Sequence, residues 1–267
     1  MRTLARVDWG RREWVGGDIA VCVRIRPVSA SWGHGVTGPN HCEGTAAGAW
    51  MSLAQLAGGV RERAVRRPGR FVLGIAGPPG AGKSTFAAAL RDEIDAQAGV
   101  QVAEVAPMDG FHLTNAELEA LGARARKGEP DTFDAAGYID RLRALRDIPL
   151  GQPLRWPGYD RELHEPAPDR LVLDHRRIVL TEGNYLLYDR LGWAPVRACL
   201  DEAWYLDAPR AVLTARLLRR HRRGGRSPES ARDKVFGSDL PNAALVAGTG
   251  QRADLRLRAD GDGYRVG

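Results

Sequence analysis

The sequence predicts an α/β fold with a mostly parallel central sheet flanked by helices, on three observations. From Arg70 onward, apolar strand-like runs alternate with helix-length stretches. One apolar run, "RFVL", feeds the glycine-rich turn "GIAGPPGAGKST" (Gly74–Thr85) and then a helical pattern, "FAAALRDEIDA". Two further apolar runs close on acidic residues, Asp109 and Glu182, and parallel sheets place their ligands at such carboxyl ends.

The elements follow in chain order. Residues 1–50 hold four of the seven tryptophans and two of the three cysteines, with no sustained period. They are expected to be a non-native or disordered extension, with Met51 as the natural start; a short appended module is the alternative. The domain is then 51–267, opening on the helical spacing of "MSLAQLAGGVRERAVRR". Phe71–Ala76 reads as a strand, Ser84–Ala98 as its helix, and Gln101–Ala106 as a second strand that stops at "MDGFH". "NAELEAL" and "AAGYIDRLRALRD" read as helices separated by the loop "GARARKGEPDTFD". The proline- and aromatic-rich "LRWPGYDRELHEPAP" has no period, so it is a functional loop or a hairpin. "RIVLTEGNYLLY" is a buried strand ending at Glu182, and "AWYLDAP" is another, followed by a basic helix from Pro209 towards Arg223. The alternating "ADLRLRA" near the end reads as an edge strand.

Gly77, Gly82, Lys83 and Ser84 satisfy G-x-x-x-x-G-K-[ST] between a strand and a helix, the context in which that pattern cradles phosphate. Glycines let the backbone N–H groups of Gly77, Gly80, Ala81, Gly82, Lys83, Ser84 and Thr85 converge on phosphate oxygens, while Pro78 and Pro79 stiffen the loop without donating. The helix N-terminus adds partial positive charge. Lys83 is expected to reach the outer phosphates of ATP and the Ser84 hydroxyl to take one position on Mg²⁺. A P-loop NTPase is therefore the expected fold. Asp109, at a neighbouring strand end, can accept a proton from an attacking hydroxyl or help hold the metal.

The stretch "DGFHLTNAELEALGARARKGEPDTFD" resembles the corresponding part of bacterial pantothenate kinases, within the uridine kinase and phosphoribulokinase group of P-loop kinases. Asp-Gly-Phe is followed by an Asn, a helix, a glycine, and Arg126, Lys127, Gly128 and Pro130 in the same order. The resemblance continues through "GYDRELHEP" and "TEGNYLL" and covers most of Phe71 to Gly224. It implies Asp109 as catalytic base, Glu182 at Mg²⁺ directly or through water, and Arg220 on the transferred phosphoryl group. A guanidinium aimed at phosphoryl oxygens suits that chemistry. "RLLRRHRRGGRS", with Arg216 and Arg220 ahead of a Gly-Gly hinge, reads as a basic helical lid over ATP, against the alternatives of a solvated face or a nucleic-acid patch.

His112, Tyr159, Arg161 and His164 are the candidate acceptor contacts beside Asp109 and Glu182; Arg161 suits an anionic acceptor. Leu217 stands where pantothenate kinases carry a tyrosine facing the vitamin, and Trp156 near their histidine. "DGFHLTN" and "PGYDR" look closer to a branch of the group called nucleoside/nucleotide or sugar-transport kinases. The expectation is a Mg²⁺-dependent kinase passing the γ-phosphoryl of ATP to a hydroxyl of a nucleoside, a pantothenate-like molecule or a sugar. A regulatory P-loop protein that binds or hydrolyses ATP without an acceptor is the rival.

Composition narrows the partners. The formal net charge of +6 is carried by arginine, since the lysines are Lys83, Lys127 and Lys234 alone. That balance suits polyanions such as nucleotides. No aromatic stacking platform accompanies the basic cluster, which argues against nucleic acid. Cys22, Cys42 and Cys199 lack C-x-x-C spacing, which fits a reducing cytoplasm, and no apolar run approaches a membrane span. A homodimer is left open.

Overall fold

The computed structural model describes residues 48–267. The expectation for 1–50 falls almost wholly outside them. Its last residues, however, enter the fold: Ala49–Ser52 form β1, with Ala49 opposite Val266 and Trp50 opposite Arg265. Ser52 then caps α1 (Leu53–Arg66), its side chain accepting from the Gln55 amide while the Gln55 side chain returns to the Ser52 amide.

The helix and strand that carry the glycine-rich turn stand where the sequence puts them. β2 is Phe71–Ala76, buried at every residue, and α2 runs Lys83–Ala98. β3 is Ala103–Pro107, followed by a 3₁₀ turn, Met108–Phe111. α3 (Asn115–Ala120) is opened by Thr114 and Glu117 in a reciprocal cap, and α4 (Ala135–Asp147) by the Asp134 side chain.

β4 (Leu154–Asp160) and β5 (Glu165–Leu173) resolve the period-free segment as an antiparallel hairpin, a sheet of its own. Then come β6 (Ile178–Gly183), β7 (Glu202–Asp207), α5 (Arg210–Arg223), α6 (Pro228–Lys234), α7 (Leu240–Ala247), β8 (Leu255–Asp260) and β9 (Gly263–Val266).

The main sheet has the order β1-β9-β8-β7-β2-β6-β3. β3, β6, β2, β7 and β8 are parallel; β9 and β1 close the far side in antiparallel pairs. One expectation is corrected here: "ADLRLRA" is not an edge strand, because β9 pairs with its free side and β1 with β9. Its alternation reflects one covered face, Leu257 being buried between exposed Arg256 and Arg258.

Apolar clusters cover the two faces of the sheet. On one, Phe111, Phe133, Tyr138, Trp156, Tyr185 and Trp193 pack mostly edge-on with ring centroids 5.1–5.9 Å apart. Trp156 belongs to this core: it is fully buried and its indole N–H donates to the Pro107 carbonyl at 3.0 Å. On the other face α1 and α2 pack through Leu56, Val60, Phe86, Leu90 and Ile94.

Candidate active site

The sheet order brings the chemistry-bearing strand ends together. Glu182 of β6 lies in register with Ile75 of β2 on one side and Pro107 of β3 on the other. The glycine-rich loop that leaves β2 and the Asp109 turn that leaves β3 therefore flank it. The loop fits tightly: at Gly77, φ is +154° and a Cβ would come within 2.5 Å of the Leu206 carbonyl oxygen, so the chain must be glycine there. Leu217 of α5, fully buried, packs against Gly80.

Inside the loop the Lys83 ammonium donates to the Asn184 side-chain oxygen at 2.7 Å and to the Pro78 carbonyl at 3.1 Å. The Ser84 hydroxyl donates to the Glu182 carboxylate at 2.8 Å. Both charged groups are buried. Burial lowers the Lys83 pKa from its ordinary value, against the attraction of Glu182 and Asp109 and with a further push from Arg220. Burial likewise raises that of Glu182, joined by the repulsion of Asp109 and opposed by Lys83 and the Ser84 hydrogen bond. The Asp109 carboxylate thus acts on Lys83 of the loop and on Glu182 of β6 alike.

Asp109 is partly exposed, and Arg161, from the turn of the hairpin, stands 3.6 Å from it. His112 stacks on Phe133 with centroids 3.9 Å apart and tilts against Tyr159 at 4.9 Å. Its Nδ1 is buried without a hydrogen-bond partner. Burial brings its pKa down to about 4, so the ring is neutral at neutral pH. Burial also pushes the Tyr159 hydroxyl up to about 12, with Asp109 adding to the shift.

His164, at the hairpin turn with φ +54°, has an exposed side chain; its carbonyl accepts from Lys127 at 2.6 Å. Lys127 also donates to Asn115 at 2.8 Å and lies 5.6 Å from the Tyr159 ring centroid. Of the two α5 arginines expected at the nucleotide, Arg216 donates to the carbonyls of Gly80 and Ala81 at 3.3 and 2.8 Å, gripping the loop backbone. Arg220, one turn later, forms no ion pair among the described residues. His221 fixes the helix end to Asp239 at 2.6 Å.

Two residues of the cluster have no role assigned to them by the sequence. Asn184, within "TEGNYLL", is an ordinary residue after a strand until β6 lands beside the loop, and Lys127 enters only as part of the motif order after Asp-Gly-Phe until its ammonium meets Asn115. The candidate substrate-side groups Asp109, His112, Tyr159 and Arg161 do converge, whereas His164 contributes its backbone.

Among the described residues no three His, Cys, Asp or Glu side chains converge as a metal cage. The donor set at Ser84 and Glu182 is nevertheless one of hard oxygens, and Mg²⁺ is commonly held by one or two side chains together with phosphate and water. The buried Glu182 carboxylate, pushed towards its neutral form beside Asp109, is a group that a divalent cation would return to its charge. The residues fit the ion. No helix among the described residues is long and apolar enough to cross a membrane.

Comparison with known proteins gives this geometry its context. Residues 72–260 match the model of the Phosphoribulokinase / Uridine kinase family. The uncharacterized protein YggC of Escherichia coli K12 is 32% identical over 194 residues, 73% of this chain and 80% of its own. A Schizosaccharomyces pombe protein named provisionally as a uridine kinase is 32% identical over 184 residues, 66% of this chain and 78% of its own. A crystal structure from Silicibacter sp. TM1040, named provisionally for a fructose transport system kinase, superposes with a TM-score of 0.71 at 38% identity, covering 77% of this chain and 98% of that one.

Proposed function

The chain belongs to the phosphoribulokinase and uridine kinase family of P-loop kinases, and we propose that it transfers the γ-phosphoryl group of ATP to a hydroxyl of a small metabolite. The observation that carries this reading is the convergence of Asp109 with the Lys83, Ser84 and Glu182 cluster across adjacent parallel strand ends. A P-loop switch without an acceptor has no use for a partly exposed carboxylate walled by His112, Tyr159 and Arg161.

Each side chain has a task. Backbone amides of Gly80 to Thr85 and the α2 N-terminus bind the phosphates, and Lys83 neutralises their outer oxygens. Mg²⁺, when bound, supplies positive charge at the phosphate oxygens. Ser84 and Glu182 are the residues that would hold it, directly or through water. Asp109 accepts the proton of the attacking hydroxyl, which must lie within about 3 Å of it. Arg220 stands ready for charge developing on the transferred group. Its charge is already felt at Lys83.

On the acceptor side the neutral His112 offers hydrogen-bonding capacity without charge, Tyr159 offers a face and a hydroxyl, and Arg161 a fork. A sugar or nucleoside hydroxyl compound suits this mixed wall, in keeping with the fructose and uridine named for two of the relatives.

ADP release measured against a panel of sugars, nucleosides and pantothenate tests the reading. A kinase requires one panel member, and Asp109→Asn should abolish that acceptor-dependent turnover while nucleotide binding persists. Slow hydrolysis indifferent to the whole panel would instead mark a switch.

A further inference from the structure

The Lys83 ammonium is buried and its nearest partners are neutral: the Asn184 side-chain oxygen at 2.7 Å and the Pro78 carbonyl at 3.1 Å. Glu182, two residues before Asn184, is the obvious counter-ion, yet it forms no ion pair with Lys83 and accepts instead from Ser84 at 2.8 Å. Glu182 near the end of β6 and Asn184 just beyond it thus divide the loop between them. The carboxylate takes the serine and the amide takes the lysine.

Asn184 is flanked by two anchored neighbours. A Cβ on Gly183 would come within 2.6 Å of Met108, so the chain between Glu182 and Asn184 is pressed against the residue that precedes Asp109. Tyr185, next in sequence, is fully buried and donates to the Gly128 carbonyl at 2.6 Å. Asn184 is held between these two anchors and cannot drift from the lysine.

We propose that Asn184 is a positioning residue for nucleotide binding: it gives the Lys83 ammonium a neutral resting partner and so prevents a buried ion pair between Lys83 and Glu182. The physical reason is the strength of the alternative. A desolvated lysine–carboxylate pair is hard to open once formed, because separation leaves both charges buried. An amide oxygen satisfies the ammonium while remaining easy to exchange for a phosphate oxygen, which binds a cation more strongly than a neutral group does. The same arrangement leaves Glu182 with Ser84 rather than with the lysine. This inference rests on the P-loop kinase reading but needs no acceptor for its test.

The experiment is titration of the full chain with a fluorescent ATP analogue, with EDTA and with Mg²⁺, alongside thermal melts. Asn184→Asp replaces the amide by a carboxylate of the same shape and should weaken analogue binding in EDTA by ten-fold or more at an unchanged melting temperature. Asn184→Ala should weaken it several-fold by releasing Lys83 to Glu182. That loss should disappear when Asn184→Ala is made in a Glu182→Gln background, a coupling a merely structural residue would not show. Asn184→Ser, which retains an oxygen, serves if the alanine variant melts early and should bind nearly as the unaltered chain does. Unchanged affinity in Asn184→Asp, or an equal loss from Asn184→Ala with and without Glu182, would overturn the proposal. Failure of the unaltered chain to bind the analogue at all would instead overturn the nucleotide-site reading beneath it.

Discussion

Arg161, at the turn of the β4–β5 hairpin, stands 3.6 Å from Asp109, at the end of β3. The pair joins the hairpin to the central sheet, because Asp109 sits in the 3₁₀ turn that leaves β3 whereas Arg161 is carried by a separate two-stranded sheet. The position of the hairpin therefore sets the charge that the carboxylate feels.

Arg161→Ala should raise the KM for the acceptor roughly 10- to 100-fold, the range expected when a charge-assisted contact is lost. Nucleotide affinity should stay as it is. The Arg161 side chain is 66% exposed, so the pair is worth at most about 1 kcal/mol to the fold and the melting temperature should barely move. Steady-state kinetics beside a thermal melt checks both halves; a large fall in melting temperature would show that the arginine is structural.

Gly110→Ala tests the seat of the hairpin. A Cβ there would lie 2.2 Å from the Pro157 carbonyl oxygen, a backbone atom that can move only by displacing β4. The cost should be about 2 kcal/mol by denaturant unfolding, with acceptor binding impaired and nucleotide binding retained. Wild-type stability in this variant would mean the hairpin rides more loosely on the Asp109 turn than its packing implies.

Leu217→Ala removes the fully buried side chain that packs on Gly80. Loss of its contacts and the cavity left behind should cost roughly 3 kcal/mol. Because Arg216 on the same helix grips the Gly80 and Ala81 carbonyls, nucleotide affinity should fall too. Equilibrium unfolding and nucleotide titration read the two effects separately, and an unaffected affinity would argue that α5 does not organise the loop.

His112 predicts a pH dependence of known sign. Burial depresses its pKa from 6.5 to about 4, so as pH falls below 6.5 the unfolded chain takes up the proton first. Stability contributed by the neutral ring is present above pH 6.5, declines from there to about 4, and then levels, by up to about 3 kcal/mol in all. His112→Phe should abolish that component, so the difference in unfolding free energy between variant and wild type should change across this window. A difference that is flat from pH 4 to 7 would show that the imidazole is not desolvated.

The loop was legible because its requirements are local. The positive φ and close packing at Gly77, the lysine and serine opening α2, and the strand before it lie within fourteen consecutive residues, Phe71 to Ser84. Amphipathic spacing likewise marks α4 from Ala135 to Asp147 without any knowledge of what it packs against. The hairpin was half legible: prolines and aromatics announce an interruption, but only antiparallel pairing of Leu154 with Leu173 makes it a sheet.

What the sequence by itself determined is a parallel α/β chain with a phosphate loop and acidic residues at strand ends, since each depends on backbone preferences and periodicity within a few turns. Tertiary structure alone decided that β6 lies between β2 and β3, and with it that Asn184 meets Lys83, that Glu182 meets Ser84 and that Arg161 reaches Asp109. Those partners are many residues apart along the chain. Their meeting follows from strand order, which is fixed by the packing of whole layers rather than by any local pattern.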